Sequence, residues 1–260
     1  MEHSVSDFSM DFFRLDNKVA IVTGGNTGLG QGFAVALAKA GADIFIVTHG
    51  DDGEETRKLV EKEGRKVEFF RGDLSQKEDI KNLIDKCIKV FGKIDILVNN
   101  AGMIKRAPIL EYKDEDWKQV ISVNLDAIYY LSQKVAIIMA NQGSGKIINI
   151  ASMLSFQGGK FVPAYTAAKH GVAGITKAFA NELACKNIQV NAIAPGYIVT
   201  NNTAKIRSDE NRSEEILERI PAARWGYPID VMGTVVFLSG RASDYVNGHI
   251  LAVDGGWLVR

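Results

Sequence analysis

Seven short runs rich in β-branched residues, each separated from the next by a longer helical or polar stretch, leave this chain few folds to choose from. The runs are 18–23 (KVAIVT), 43–48 (DIFIVT), 66–71, 94–98, 146–150 (KIINI), 189–193 and 250–253. Helical spacing fills about 28–40, 54–63, 77–91, 114–141, 163–184 and 229–238. Strands that are apolar on both sides must be covered on both faces, and an intervening helix returns the chain to begin a parallel neighbour. The expectation is an α/β protein, a doubly wound, seven-stranded parallel sheet with helices on both faces. No composition break or Ser/Pro-rich linker divides it, so one domain over 17–260 follows a polar leader over 1–16. A polar, charged segment interrupts the alternation after the sixth run, and it predicts a lid over about 197–227.

Charge narrows the function classes. Lys plus Arg number 31 and Asp plus Glu 31, so the formal net charge is zero. A general binder of nucleic acid or of anionic membrane needs a basic excess, and this chain has none. With 46% hydrophobic residues and no net charge, disorder is excluded as well. Cys87 and Cys185 lie far apart, the four histidines are scattered, and no spacing suggests a metal site. The N-terminus has no apolar signal core and no run is long enough to span a bilayer, so the expected location is the cytoplasm. A small anion held in a local pocket remains compatible with zero net charge.

The first strand runs into Thr23-Gly24-Gly25-Asn26-Thr27-Gly28-Leu29-Gly30 at the start of a helix. Glycines there permit a tight turn and let backbone N–H groups approach a pyrophosphate at a helix N-terminus. Taken alone, the loop also reads as a plain βα turn. Beyond the second strand, Thr48-His49-Gly50-Asp51-Asp52 contains no Arg or Lys to receive a ribose 2′-phosphate, and either aspartate would repel one. NAD is therefore expected over NADP, with His49 beside the adenine.

Tyr165 and Lys169 are four residues apart on an expected helix and so share a face. A phenol with pKa near about 10 is a poor base at neutral pH, but a neighbouring ammonium and a positive oxidised nicotinamide both favour the phenolate. Such a tyrosine can take the proton of a substrate hydroxyl. Ser152 follows the fifth strand at the sheet edge where open α/β sheets bind ligands, and its hydroxyl can bond the substrate oxygen. In isolation a Tyr-Lys pair is also a common surface feature, and Ser152 also reads as a helix cap.

Together with Asn99-Asn100-Ala101-Gly102 after the fourth strand and the Pro195-Gly196 pair, these motifs resemble the short-chain dehydrogenase/reductase superfamily over nearly the whole chain. The G-x3-G-x-G spacing departs from the general G-x-G-x-x-G fingerprint and is similar to that family's own. The resemblance implies a Rossmann-type fold, NAD-dependent hydride transfer at an alcohol carbon, and a catalytic set of Asn124, Ser152, Tyr165 and Lys169. Asn124 would hold water linking the lysine to solvent. Cofactor contacts are implied for Gly24, Asn26, Thr27, Gly28, Leu29, Gly30, His49, Asp73, Leu74, Asn100, Ala101, Gly102, Tyr165, Lys169, Pro195, Gly196, Ile198 and Thr200. Ile198 would use its backbone and Thr200 its hydroxyl on the carboxamide. A homotetramer is implied too, with the long helices and C-terminal segment at its interfaces.

Within the superfamily, the stretch from Asn149 to Gly159, the Asn201-Asn202-Thr203 and Asp209-Glu210-Asn211-Arg212-Ser213 segments and Ala222-Ala223-Arg224-Trp225-Gly226 are similar to the sugar-acid branch. The substrate implied is a 2-keto-3-deoxy sugar acid, oxidised at carbon 5. Oxidation of gluconate at carbon 5, reduction of a 3-oxoacyl carrier protein, and a non-catalytic nucleotide binder are the alternatives. Desolvating a carboxylate requires a cationic partner. Arg106 and Arg212 are the expected pair, chosen from Arg106, Lys160, Arg212 and Arg224; with Ser152 and Tyr165 they make up the expected substrate site.

Overall fold

A computed structural model of the chain describes residues 4–50 and 53–260. Its centre is a seven-stranded sheet in the order β3-β2-β1-β4-β5-β6-β7, with every pairing parallel. The strands are β1 (Val19–Thr23), β2 (Asp43–Thr48), β3 (Val67–Arg71), β4 (Ile96–Asn99), β5 (Gly145–Ile150), β6 (Ile188–Pro195) and β7 (Ile250–Val253). All seven lie where the β-branched runs predict them. Pro195 ends β6, a terminal position where a missing N–H costs the ladder little.

Helices α1 (Gly28–Lys39) and α9 (Pro228–Ser239) cover one face, and α3 (Lys77–Phe91), α5 (Ala127–Gln142) and α6 (Pro163–Leu183) cover the other. Alternation along the strands divides the apolar side chains between two layers. Val22, Ile44, Ile46, Val98 and Ile148 meet Phe33 and Leu37 of α1 and Val235 of α9. Their neighbours Ile21, Phe45, Val47, Leu97 and Ile147 meet Leu83 of α3 and Leu131 and Val135 of α5. Each fully buried Ile, Leu, Val or Phe contributes roughly 1.5–3 kcal/mol to this sandwich. The charged helix α2 (Glu54–Lys62) buries only Thr56 and Val60.

Three features go beyond the sequence pattern. The single helical region expected over 114–141 is α4 (Asp114–Ile121) and α5, joined by one π-helical turn, Ser122–Asp126. The segment expected as a lid holds two short helices, α7 (Ala204–Arg207) and α8 (Glu210–Arg219), after a 3-10 turn at Asn201–Thr203. The N-terminal segment is attached to the domain: Leu15 is 1% exposed, Phe13 packs on Phe237 of α9, and Arg241 lies over Phe12.

Candidate active site

Strand order reverses between β1 and β4, and in open parallel sheets ligands bind at that reversal, beyond the carboxyl ends of the strands. Here β1 ends on Thr23 and β4 on Asn99, and the loops leaving them are bonded together. The Thr23 hydroxyl accepts from Asn100 N and Ala101 N, both at 2.9 Å. Asn100 Nδ2 donates to the Thr23 carbonyl at 2.9 Å and to the Gly24 carbonyl at 3.2 Å. The loop closes so tightly that a Cβ on Gly30 would stand 2.0 Å from the Gly24 carbonyl oxygen. Glycine is required there by contact, and at Gly24 (φ +63°) and Gly28 (φ +56°) by backbone conformation.

A cleft of about 1050 Å3 extends from this switch point to the lid. Gly24, Asn26, Thr27, Gly28, Leu29 and Gly30 form its floor at one end, with His49, Asp73, Leu74, Asn100, Ala101 and Gly102 around them. Thr27 stands at the N-cap of α1 without a side-chain cap bond, which leaves the first-turn N–H groups for an anion. The glycine loop, an uncapped helix start and a deep cleft fit a dinucleotide pyrophosphate. The Asp73 carboxyl is held below the ordinary carboxylate range, chiefly by the Ser75 N–H that donates to it at 2.9 Å. It therefore forms the turn after β3 and also lines the cleft.

At the middle of the cleft, Ser152, Tyr165 and Lys169 come together with Pro195, Gly196 and Thr200. Ser152 caps the 3-10 turn after β5, its Oγ accepting from Leu154 N at 3.2 Å. Tyr165 sits in the first turn of α6, two residues after the proline that starts it, and Lys169 lies one turn on. Lys169 is 4% exposed, and its Nζ donates to the Ile150 carbonyl at 2.5 Å and lies 5.4 Å from the Tyr165 ring centre. Burial pulls the Lys169 pKa down to about 8. Burial also pushes the Tyr165 phenol above its ordinary value, against smaller opposing effects of Ser152 hydrogen bonding and the Arg106 charge. The lysine alone therefore does not make Tyr165 a base at neutral pH. The positive charge of an oxidised nicotinamide is the remaining contribution the chemistry calls for.

Two expected residues lie off the cleft wall. Asn124 is fully buried in the π-helical turn, its Oδ1 accepting from Met103 N at 2.8 Å and its Nδ2 donating to Met103 O at 2.7 Å. It thus holds the segment after Gly102 against the α4–α5 junction. Ile198 is 5% exposed and packed in the apolar layer, while its carbonyl accepts from the Thr203 hydroxyl at 2.7 Å. Asp51 and Asp52, read as a filter against the phosphorylated cofactor, lie outside the described residues.

Arg106, Lys160 and Arg212 all line the lid end of the cleft, whereas Arg224 lies outside it, bonded twice to Asp230 at 2.8 Å. Arg212 Nη1 is 2.7 Å from Glu215 on its own helix. Sequence reasoning missed Gln157, Arg219 and Trp257, which share this wall. One signal was present: Arg212 and Arg219 are seven residues apart, two turns along one face of α8.

The chain as a whole is similar to known proteins. A family model described as enoyl-(acyl carrier protein) reductase matches residues 24–258. The chain is 58% identical to a 2-dehydro-3-deoxy-D-gluconate 5-dehydrogenase of Bacillus subtilis (strain 168), over 96% of this chain and 98% of that protein. It is 54% identical to the Escherichia coli (strain K12) protein of the same name, over 95% and 98%. A gluconate 5-dehydrogenase from Burkholderia cenocepacia J2315, solved with NADP and tartrate, superposes with a TM-score of 0.91 at 37% identity, covering 96% of this chain and 98% of that one. The family-model match, the shared fold and this level of identity along the whole length place the chain in the short-chain dehydrogenase/reductase family.

Proposed function

We propose that this NAD(P)-dependent dehydrogenase oxidises the hydroxyl at carbon 5 of 2-dehydro-3-deoxy-D-gluconate, giving the 2,5-diketo acid, with NAD as its cofactor. The observation that carries the reading is one cleft holding Ser152, Tyr165 and Lys169 beside Arg106, Lys160 and Arg212. An alcohol-oxidising centre beside cationic side chains suits a hydroxy acid. The identities to the two 2-dehydro-3-deoxy-D-gluconate 5-dehydrogenases support the particular acid.

The nicotinamide, when bound, takes up or gives back a hydride at the reacting carbon. Ser152 Oγ holds the substrate oxygen by a hydrogen bond, and Tyr165 Oη accepts its proton. Lys169 supplies positive potential beside the Tyr165 ring, and Asn124 fixes the Met103 segment, which lines the cleft. Gly24, Asn26, Thr27, Gly28, Leu29 and Gly30, which line the cleft, would hold the pyrophosphate. Pro195, Gly196 and Thr200, which line the cleft, would hold the carboxamide. Arg106 and Arg212, the pair expected from the sequence, line the same cleft and add positive potential for an anionic substrate.

NAD is favoured because His49, Gly50, Gly72, Asp73, Leu74 and Ser75 surround the adenosine end without a Lys or Arg among them. Cytoplasmic residence suits two unpaired thiols, Cys87 and Cys185. Among the described residues no helix is long and apolar enough to cross a membrane. A homotetramer is proposed from the family resemblance, with the exposed Tyr129 and Ile137 of the long helix α5 compatible with an interface there; light scattering that returned a monomer mass would reject it.

The direct test follows absorbance of the reduced nicotinamide with purified protein, 2-dehydro-3-deoxy-D-gluconate or D-gluconate, and NAD or NADP. The expected result is turnover of the keto acid with kcat/KM at least tenfold higher with NAD. No turnover with either cofactor would exclude the activity.

A further inference from the structure

Carboxylate recognition in a wet cleft favours a planar, pre-positioned guanidinium, because two parallel N–H groups match two carboxylate oxygens. Arg212 and Arg106 meet this requirement poorly. Arg212 already spends Nη1 on Glu215 at 2.7 Å. Arg106 donates a long 3.4 Å bond to the Asn202 carbonyl and acts electrostatically on Tyr165. Lys160 is an exposed point charge on a flexible stem.

Arg219 differs from all three. It ends α8, and its guanidinium carbon lies 3.9 Å from the centre of the Trp257 ring. Stacking occupies one face of the guanidinium and leaves its in-plane N–H groups free to bond. One of these, on Nη2, donates to Gln157 Oε1 at 3.1 Å, on the loop that follows Ser152. No carboxylate of the described residues is paired with Arg219. The platform beneath it is fixed, since Trp257 is 4% exposed and meets the Tyr197 ring at 4.7 Å. Arg260 Nη1 donates to the Glu218 carbonyl at 2.8 Å and ties the C-terminal segment to α8. The Tyr197 phenol, raised by burial, is pulled back by the Arg212 and Arg219 charges, so both act on one part of the cleft.

We infer that Arg219, held over Trp257, binds the substrate carboxylate and sets the preference for sugar acids over neutral analogues. The inference rests on the reading that the substrate is a sugar acid. Gln157 then bridges the carboxylate subsite to the Ser152 loop, so anchoring the acid also orients its far hydroxyl toward Ser152 and Tyr165.

The experiment compares kcat/KM for 2-dehydro-3-deoxy-D-gluconate and its uncharged methyl ester in wild type, Arg219→Gln, Arg219→Lys and Arg212→Gln. Losing a charge-assisted bidentate contact should lower kcat/KM for the acid roughly 10- to 100-fold in Arg219→Gln, chiefly through KM. The ester should change less than threefold, and Arg219→Lys should fall between. An equal loss on acid and ester, no loss, or a larger acid-specific loss in Arg212→Gln would overturn the assignment. Should wild type oxidise neither compound, the activity reading fails by itself, and calorimetric binding of D-gluconate to the NAD-saturated protein decides the anchor. Affinity at least tenfold weaker in Arg219→Gln supports it; unchanged affinity, or no binding to wild type, rejects it.

Discussion

At the dinucleotide end the wall is mostly backbone, and at the lid end it is mostly long side chains. The first is held by bonds such as Asn100 Nδ2 to the Thr23 carbonyl and by Gly30, where the chain leaves no room for a Cβ. The second presents Arg106, Lys160, Arg212 and Arg219 from loops and from the ten-residue helix α8, which buries only Ile216. A backbone wall recognises what all dinucleotides share, the pyrophosphate, and tolerates no added volume. A side-chain wall recognises one substrate through charge and can be changed without disturbing the sheet. Tyr165 and Lys169 sit where the two meet.

The largest expected effect tests whether the two ends are separable. Tyr165→Phe should lower kcat by about 10²–10⁴-fold, the usual contribution of a general base. Cofactor affinity, measured by nicotinamide fluorescence titration, should stay within threefold of wild type. Turnover near the wild-type rate would remove Tyr165 from the base role and leave the meeting point of the two ends undefined.

Next comes the intolerance of the backbone wall. A methyl at position 30 would stand 2.0 Å from the Gly24 carbonyl and 2.5 Å from Asn100 Nδ2. Gly30→Ala should therefore cost about 3 kcal/mol in unfolding free energy by denaturant titration, the upper part of the overpacking range, together with loss of cofactor binding. A stable Gly30→Ala protein that binds NAD normally would show that this wall yields as the other does.

The smallest effect concerns Lys169 at the junction. Its pKa is about 8 in the folded protein, against an ordinary 10.5. Between those values the unfolded chain holds a proton that the native state has released, so this group makes stability rise as pH rises. Across that window the gain is at most about 3 kcal/mol, by the free energy of each pKa unit. Lys169→Met should flatten the rise between pH 8 and 10.5 in paired unfolding titrations. Identical slopes in the two proteins would mean the ammonium is solvated in the native state.

Sheet, crossovers and the glycine loop were legible because their signals are local. β-branched runs such as KVAIVT and DIFIVT declare strands buried on both faces, and the glycines after Thr23 declare a tight turn wherever the chain goes next. That Tyr165 and Lys169 share one helix was legible from their spacing, whereas Asn124 was named from resemblance alone. What stayed hidden depends on atoms distant in sequence. Nothing in Ser122–Asp126 marks a π-helical turn, which exists where Asn124 reaches Met103 twenty-one residues away. Nor could composition separate Arg219 from Arg224, for one stacks on Trp257 and the other pairs with Asp230.

By itself the sequence determined the order of elements, the parallel sheet and the motifs that meet at its carboxyl edge, since periodicity and glycine conformational freedom act over a few residues. Only the tertiary structure decided which charges face the cleft and what Tyr165 and Lys169 can do. Arg224 is neutralised outside it and Arg219 is held at its wall, while desolvation lowers Lys169 and raises Tyr165 together. A charge is read from one letter, but its partner and its solvent are supplied by the fold.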